Sequence, residues 1–458
     1  MESRQRERVA VVGSGLAGLV TAHLLANDPR QRYDITIFES GSSPSLDAAS
    51  ISIPNAAESK SDRVDLPMRA FAGGYYTNLK ALYDYLGVQY RQQPFLFEFS
   101  ASRPQSLTRP ASANTAYFVH ASNLHRVAPR PTQISNLAYA AEVLYLIACY
   151  AWFSLCCFLV APAQGETVEQ YVSRTRIPHR FTAFYLLPLI SSVTTCPHQA
   201  LLAFPATDLT GYKRKTHRAP HYTVSEGVRG VQERLLAGVE VVVNTTITAV
   251  RSSEKAVTIT WDQGHGTELR AHKETFDKVV LAVSPDVVGR IFEPLRHHMS
   301  RIPTTLVQSL VHNDRTILSQ NNAEIPDARN AQLIKLHTSV DQNTKTESHH
   351  IQPCGAIVTT CPFSHIQPKQ IVHSAKFTRV LRSPESQIIV NAIFEGKSDV
   401  KDEKSAPLWR NGDDHVWLVG GWCWDGMVLL EGCVVSSMRV ADALDVEVPW
   451  RHGKDSAI

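Results

Sequence analysis

The sequence predicts an α/β protein made of a discontinuous Rossmann-like domain and a second domain of mixed α+β structure. A strand, a glycine-rich loop, a helix and another strand open the chain, and a second glycine-rich turn between a strand and a helix lies near its end. The composition, with 43% hydrophobic and 19% charged residues, is typical of globular proteins. A length of 458 residues is enough for two or three domains.

The charge balance and the cysteines exclude several classes of protein. Lysine and arginine number 46 against 43 acidic residues, so we expect no nucleic-acid partner. The 8 cysteines form no CxxC pair, and no histidine cluster has zinc-like spacing, so we expect reduced thiols and no metal site. The charged N-terminus runs directly into an apolar strand, which is not typical of a secretory signal. We therefore expect an intracellular protein, in the cytoplasm or at a membrane surface.

The first sixty residues carry a dinucleotide-binding pattern. The β-branched run at 9–12 predicts a buried strand, 19–25 has helical spacing, and 34–38 predicts a second strand that Glu39 closes. The loop between the first strand and the helix reads Gly13-Ser14-Gly15-Leu16-Ala17-Gly18. In such a loop the first glycine permits a tight turn, the second lets the backbone approach a pyrophosphate, and the third lets the helix pack on the strand.

Glu39 strengthens the prediction because it follows Gly18 by about twenty residues, where a carboxylate accepts the ribose hydroxyls. Its negative charge disfavours NADP, whose 2′-phosphate it would repel. An ordinary glycine-rich turn is the alternative to a dinucleotide site.

The C-terminal region favours FAD over NAD. Residues 415–419 predict a strand, Gly420, Gly421 and Gly426 a turn, and 429–444 a helix. A flavin needs close approach of the backbone, and a helix N-terminus stabilises negative charge on the reduced ring. The alternative is a packing helix that follows a glycine turn.

Together these segments resemble the FAD-dependent amine oxidase/phytoene desaturase superfamily, and 225–250 and 276–285 agree with it. The resemblance implies that the backbone of Ile247 binds the adenine. The nearest branch includes a polyunsaturated fatty-acid isomerase, and the residues that carry this likeness are 64–68, 75–79, 86–88 and the Gly-Gly-Trp turn. The chain departs from the family after Glu39, because 40–50 contains no paired glycine, which leaves open how the pyrophosphate is covered.

The resemblance also implies the domain organisation. The FAD domain would comprise 1–66, 225–300 and 410–458, and the substrate domain 67–224 and 301–409. Residues 315–348 are polar and predict an excursion loop, and the charged run 397–405 predicts another loop.

Residues 143–161 carry no charge and meet the roughly 18-residue threshold for a membrane-spanning helix. One span would separate parts of the FAD domain, so three alternatives remain: a buried helix of the substrate domain, a monotopic helix that dips into a membrane, or an anchor. The first two imply an apolar substrate, and the second implies peripheral membrane contact.

The predicted function is that of an FAD-dependent oxidoreductase, a dehydrogenase, desaturase or oxidase that takes a hydride from a C–H bond of an apolar small molecule. Alternatives are a flavin-dependent double-bond isomerase and a non-catalytic flavin-binding partner protein. Tyr76, Trp422 and Trp424 are candidates for the flavin's reactive side, with core aromatic residues as an equal interpretation. His217 and His221 are less favoured as a general base, and no lysine stands out as a partner of flavin N5.

Overall fold

The computed structural model describes residues 6–55, 60–101, 116–122, 134–264, 270–318, 331–339, 344–395 and 409–453. The predicted loop at 397–405 lies outside these residues.

The strands of the described residues are β1 (Glu7–Val12), β2 (Tyr33–Phe38), β3 (Ile51–Asn55), β4 (Lys60–Val64), β5 (Phe71–Ala72), β6 (Tyr90–Gln92), β7 (Phe95–Ala101), β8 (Ala116–Ser122), β9 (His221–Val224), β10 (Glu240–Val242), β11 (Thr245–Ser252), β12 (Val257–Gln263), β13 (Arg270–Phe276), β14 (Lys278–Leu281), β15 (Thr304–His312), β16 (Gln332–Thr338), β17 (Thr346–Ile351), β18 (Ile357–Thr360), β19 (Ile371–Val380) and β20 (Val416–Leu418).

The helices are α1 (Leu16–Ala26), α2 (Thr77–Tyr85), α3 (Asn136–Leu159), α4 (Val168–Arg174), α5 (His179–Phe181), α6 (Leu187–Thr194), α7 (His198–Leu202), α8 (Ala206–Thr216), α9 (Arg229–Leu235), α10 (Pro285–Ile291), α11 (Arg296–Met299), α12 (Pro384–Glu395) and α13 (Leu430–Ala443).

A five-stranded parallel sheet has the strand order β10-β2-β1-β14-β20. Its strands come from the start, the middle and the end of the chain, which is the discontinuous Rossmann-like arrangement that the sequence predicts. Because the strands are parallel, the residues that follow β1, β2, β14 and β20 lie at one edge of the sheet. The exact domain boundaries remain predictions.

Both faces of this sheet are buried, as β-branched parallel strands require. Val9 and Val11 pack in one hydrophobic cluster with α1 and α13, whereas Ala10 and Val12 pack in another with β11–β13 and α10. The continuous apolar run of β1 therefore follows from burial on two sides.

The second large sheet has seven strands in the order β19-β15-β18-β17-β16-β7-β8. Phe95, Phe97 and Phe99 alternate along β7 and pack with Ile334 and Leu336 of β16 against the helices α3 to α8. The prediction of one excursion loop over 315–348 was wrong, since β16 and the start of β17 pair antiparallel within it. Apolar and polar residues alternate from Ile334 to His337 in β16, a short period-2 pattern that the polar composition of the segment hid.

The uncharged segment 143–161 forms most of α3, which has one buried and one exposed side. Among the described residues α3 is the helix that is long and apolar enough to cross a membrane, and 28% of its most apolar stretch is buried. It is therefore not a fully buried core helix.

Candidate cofactor and active site

The glycine loop after β1 has the geometry of a phosphate cradle. Gly13 has a positive φ of 100°, and a Cβ there would lie 2.8 Å from the carbonyl oxygen of Ala282. A Cβ on Gly18 would lie 2.1 Å from the carbonyl oxygen of Gly13. Both positions therefore need glycine because a side chain would clash with the protein's own backbone. Gly15 differs, because a Cβ there would meet only the Ser45 hydroxyl, at 3.9 Å. Its free side faces open space.

The N-terminus of α1 points its backbone N–H groups into the same space. Gly15 is the N-cap residue, and no side chain caps the helix. Leu16 and Ala17 form the buried first turn. An uncapped helix start beside an open glycine is the arrangement that binds a diphosphate.

Glu39 lies beside this loop at the end of β2. One of its carboxylate oxygens accepts hydrogen bonds from the backbone N–H of Ser14, at 3.1 Å, and from the Ser14 hydroxyl. The other accepts from the N–H of Gly41 at 2.8 Å. The structure thus brings the acidic residue and the glycine loop together, as the sequence pattern predicts.

The segment after Glu39 folds back over the glycine loop without a paired glycine. The backbone N–H of Ser45 donates to the Ser14 hydroxyl at 2.7 Å, and the carbonyl of Leu46 accepts from Arg69 at 3.2 Å. Ser45 and Leu46 therefore lie next to the glycine loop, and Arg69 brings a cation to this side from elsewhere in the chain.

Ile247 lies on β11 and is buried with Phe38 in the cluster beneath the parallel sheet. The N–H of Thr245 donates to the carbonyl oxygen of Glu39 at 2.9 Å, which holds β11 next to this acidic residue. The position suits the adenine contact that the resemblance implies, and the contact itself stays a prediction.

The C-terminal turn closes around glycines. The Ser436 hydroxyl accepts from the N–H of Gly420 at 3.0 Å and fixes the turn to α13. A Cβ on Gly421 would lie 3.0 Å from the carbonyl oxygen of Leu429, and one on Gly426 would lie 2.5 Å from the Trp424 ring. These glycines allow β20 to pass tightly into α13, whose N-terminus also has no side-chain cap.

The two glycine turns are adjacent, although more than 400 residues separate them. They follow β1 and β20, which both flank β14 in the parallel sheet. The Ser437 hydroxyl of α13 donates to the carbonyl oxygen of Ala17 in α1 at 2.9 Å. One elongated cofactor can therefore contact both helix N-termini.

Aromatic side chains surround the C-terminal turn. The ring of Tyr75 lies 5.1 Å from that of Tyr76, 4.9 Å from Tyr212 and 5.9 Å from Trp424. Burial raises the pKa of Tyr75 and of Tyr76 well above the usual range and that of Tyr212 to about 12, so these phenols stay protonated. Trp422 instead packs in the cluster on the other side of the sheet. The two tryptophans therefore do not form one aromatic wall.

Sequence reasoning missed Arg382, a buried arginine that holds the turn. Its Nη2 donates to the carbonyl oxygens of Trp424 at 2.8 Å and Gly426 at 2.9 Å. Asp208 of α8 lies 3.8 Å from its Nε, and burial raises the pKa of Asp208 to about 6. No local sequence signal joins residues so far apart.

Two further arginines were also missed. Arg69 and Arg379 lie deep in the molecule, where burial lowers the pKa of each, and yet both keep accessible surface. Both lie near Cys433 in the first turn of α13. Nε of Arg69 has no partner among the described residues. A cation with a free donor, such as Arg69, favours an anionic occupant, and the diphosphate of FAD has the required charge.

The histidine candidates lie elsewhere. His217 is exposed and packs edge-on against Phe158, with ring centroids 5.4 Å apart. His221 lies on β9, where burial lowers its pKa. Cys423 in the turn is fully buried, which raises the pKa of its thiol well above the usual range and makes it a poor nucleophile.

A cluster of His337, Glu347 and His349 has its possible ligand atoms within 4.8 Å of one another. The Glu347 carboxylate already accepts from His337 at 3.0 Å and from the backbone N–H groups of Phe363 and Ser364 at 2.8 and 2.9 Å. The alternation of β16 places this cluster on the sheet face opposite Ile334 and Leu336. Hydrogen bonding accounts for the arrangement without a metal ion. The sequence analysis missed it because the residues meet only across a hairpin.

Comparison with known proteins agrees with this geometry. Residues 11–86 match the model of the NAD(P)-binding Rossmann-like domain, and residues 209–314 match that of the flavin containing amine oxidoreductases. No curated protein matches the chain.

Two solved structures have a similar fold. Cyclohexylamine oxidase from Brevibacterium oxydans IH-35A is 11% identical with a TM-score of 0.57, and the alignment covers 96% of this chain and 100% of that one. A CLA-producing fatty acid isomerase from P. acnes is 12% identical with a TM-score of 0.58, covering 96% and 99%. At these identities the likeness concerns the fold.

Proposed function

We propose that the chain is an FAD-binding flavoprotein of the amine oxidoreductase superfamily, which removes a hydride from a C–H bond of an apolar small molecule. The two matching family models and the similar folds support this proposal. Bound FAD supplies the hydride acceptor. The observation that carries the proposal is the aromatic lining of the C-terminal turn, where Tyr75, Tyr76, Tyr212 and Trp424 pack together.

The acidic residues near this lining already have structural partners. Glu431 accepts hydrogen bonds from Asn78 and Leu79 at the start of α2, and Asp208 neighbours Arg382. The tyrosines hold their protons, since burial raises their pKa values. Such surroundings suit direct hydride transfer, which needs orientation and exclusion of water more than a side-chain base.

Each part of the site has a defined task in this proposal. The open face of Gly15 and the first turn of α1 would hold the diphosphate, and Glu39 would accept the ribose hydroxyls. The start of α13 would stabilise negative charge beside the closing turn. Arg69 and Arg379 add positive charge near the first turn of α13.

The second domain supports an apolar substrate. The sheet face formed by Phe95, Phe97 and Phe99 packs against helices in a cluster of buried hydrophobic side chains. The helix α8 links this region to the closing turn, because its Leu209 belongs to the cluster and its Tyr212 packs on Tyr75. A molecule bound between the hydrophobic cluster and the closing turn would be desolvated, and its C–H bond would lie in a site from which water is excluded.

An anaerobic spectroscopic experiment tests the proposal. Oxidised, FAD-loaded protein is mixed with fatty acids, terpenoids or amines, and the flavin absorbance is followed while products are identified. Lasting bleaching with formation of an oxidised product supports the oxidoreductase. Product formation without bleaching and without net oxidation would instead identify a double-bond isomerase. A purified protein that takes up no FAD would contradict the assignment at its first step.

A further inference from the structure

The exposed side of α3 is apolar along its whole length. Seven of the 12 large hydrophobic side chains that are exposed among the described residues lie on this one helix. They are Leu137, Leu144, Ile147, Trp152, Leu155, Phe158 and Leu159. The remaining exposed residues from 137 to 159 are alanines. A helix face in contact with water normally carries charged side chains, and this one carries none.

The opposite side of α3 packs on the protein. Leu146, Cys149, Phe153 and Cys157 are buried in the hydrophobic cluster of the second domain. Residues 137 to 159 extend for about 33 Å at the rise of an α-helix. Because one side is fixed along the protein, α3 lies on the surface as a ridge. It cannot be surrounded by lipid as a spanning helix would be.

Basic residues border the ridge on two sides. Trp152 and Phe158 are six residues apart and lie about 120° apart around the helix. Nε1 of Trp152 donates to the carbonyl oxygen of Thr175 at 2.9 Å, and Arg176 follows immediately and is exposed. On the other border Phe158 packs against His217.

The residues around His217 extend this basic border. Arg214 and Arg218 flank it in the chain and are exposed. The acidic residues of the neighbourhood are largely neutralised, since Glu142 pairs with Arg180 and Glu166 with Arg174.

We propose that α3 is a monotopic membrane-binding helix, whose ridge inserts into the interface of an anionic phospholipid surface. An apolar ridge with basic side chains at both borders is typical of interfacial helices. Such helices combine burial of apolar surface with attraction to anionic lipids. A second copy of this chain fits the ridge less well, because a symmetric pairing would bring the basic borders of both copies together.

The proposal stands apart from the redox chemistry, and its experiment measures binding only. The FAD-loaded full chain is sedimented with vesicles of phosphatidylcholine, with and without phosphatidylglycerol. We expect sedimentation with the anionic vesicles and a marked decrease without phosphatidylglycerol. Failure of the proposed function would leave this result unchanged.

A triple variant, Leu144→Ser, Ile147→Ser and Leu155→Ser, tests the ridge. We expect at least about a hundredfold weaker partitioning, since each removed side chain contributes on the order of tenfold. A matched control changes Leu306, Val372 and Ile388 to serine, which are equally exposed hydrophobic residues on other elements. The control should bind as the wild type does.

A second variant removes the basic border through Arg214→Gln and Arg218→Gln. It should lose the preference for phosphatidylglycerol and keep the weaker binding to neutral vesicles. Blue-shifted emission on vesicle addition that disappears in Trp152→Phe would place this indole in the lipid interface.

Two results would overturn the proposal. Equal binding of the ridge variant and the wild type would show that another surface contacts lipid. A wild-type dimer in solution that the ridge variant converts to a monomer, with no vesicle binding by either, would show that the ridge is a subunit interface.

Discussion

Arg382 and Asp208 form a buried ion pair. We expect substitution of the arginine to destabilise the protein more than substitution of the aspartate. Arg382→Met removes the cation whose Nη2 donates to the carbonyl oxygens of Trp424 and Gly426, at 2.8 and 2.9 Å. Asp208→Asn removes a carboxylate that accepts no hydrogen bond among the described residues and lies 3.8 Å from Nε of Arg382. The arginine therefore holds the closing turn, and the aspartate only balances its charge.

The magnitudes follow from this difference. Losing two charge-assisted hydrogen bonds and leaving a buried carboxylate without its cation should lower the free energy of unfolding by about 3–5 kcal/mol. Asp208→Asn should cost less than about 1 kcal/mol at neutral pH, because the raised pKa of Asp208 means that its ionised form is already unfavourable in the folded state. Burial raises the pKa of Asp208 from its ordinary value of 3.8 to about 6. The folded state therefore binds this proton more tightly, and its contribution to stability is lost as the pH rises from about 4 to about 6.

The assay is the urea midpoint of each variant, measured with and without added FAD, at pH 4.5 and pH 7.5. Arg382→Met should also retain less FAD after gel filtration, since the turn that it loosens closes the cofactor site. The urea midpoint of Asp208→Asn should rise relative to that of the wild type as the pH rises. Equal destabilisation by both substitutions would refute the reasoning. So would a urea midpoint of Asp208→Asn that falls relative to the wild type as the pH rises.

Three further predictions concern single residues. Gly15→Ala should weaken FAD retention at least about tenfold with an unchanged apo-protein melting temperature, because its methyl group meets only Ser45 at 3.9 Å; Gly211→Ala on α8, also in open space, is the control. Glu431→Ala should lower the free energy of unfolding, measured by urea denaturation, by about 1–2 kcal/mol, since this carboxylate caps α2 through Asn78 and Leu79. Glu431→Gln should lower it less. Burial opposes ionisation of Glu347, but hydrogen bonds from His337 and His349 outweigh it and hold its pKa well below the usual 4.5. The stability that it contributes is present above pH of about 4.5 and is lost as the pH falls further, so Glu347→Gln should flatten the acid side of a urea-midpoint profile. An unchanged acid slope would contradict this assignment.

The sequence predicted the parts of the fold whose signals are local. The strands around 9–12 and 34–38, the glycine loop between them and the C-terminal strand, turn and helix all lie within a few residues of their predicted positions. Each is specified by a short pattern with a physical cause, such as burial of β1 on both faces. The adjacency of the two glycine turns also follows from the predicted parallel sheet, because the C-terminal ends of parallel strands lie at one edge of it.

What the sequence could not show are the contacts that only the tertiary structure brings together. Arg382 reaches a turn about forty residues away, and Glu431 caps a helix that lies more than 350 residues earlier. Arg69 lies on the side of the glycine loop where the family's motif is missing. Lone charged residues in a sequence are usually solvated, so nothing marked these three as buried.

The helix α8 connects the closing turn to the ridge on α3. Asp208 in its first turn neighbours Arg382, Tyr212 packs on Tyr75, and His217 just after its last turn packs on Phe158. Eleven residues of helix span about 16 Å, so an apolar molecule that leaves the lipid interface at α3 would have only this distance to cover. The ridge and the aromatic lining share no side chain, and substitutions on one should therefore leave the local geometry of the other intact. Because of this separation, lipid binding and redox chemistry can be tested independently in one protein.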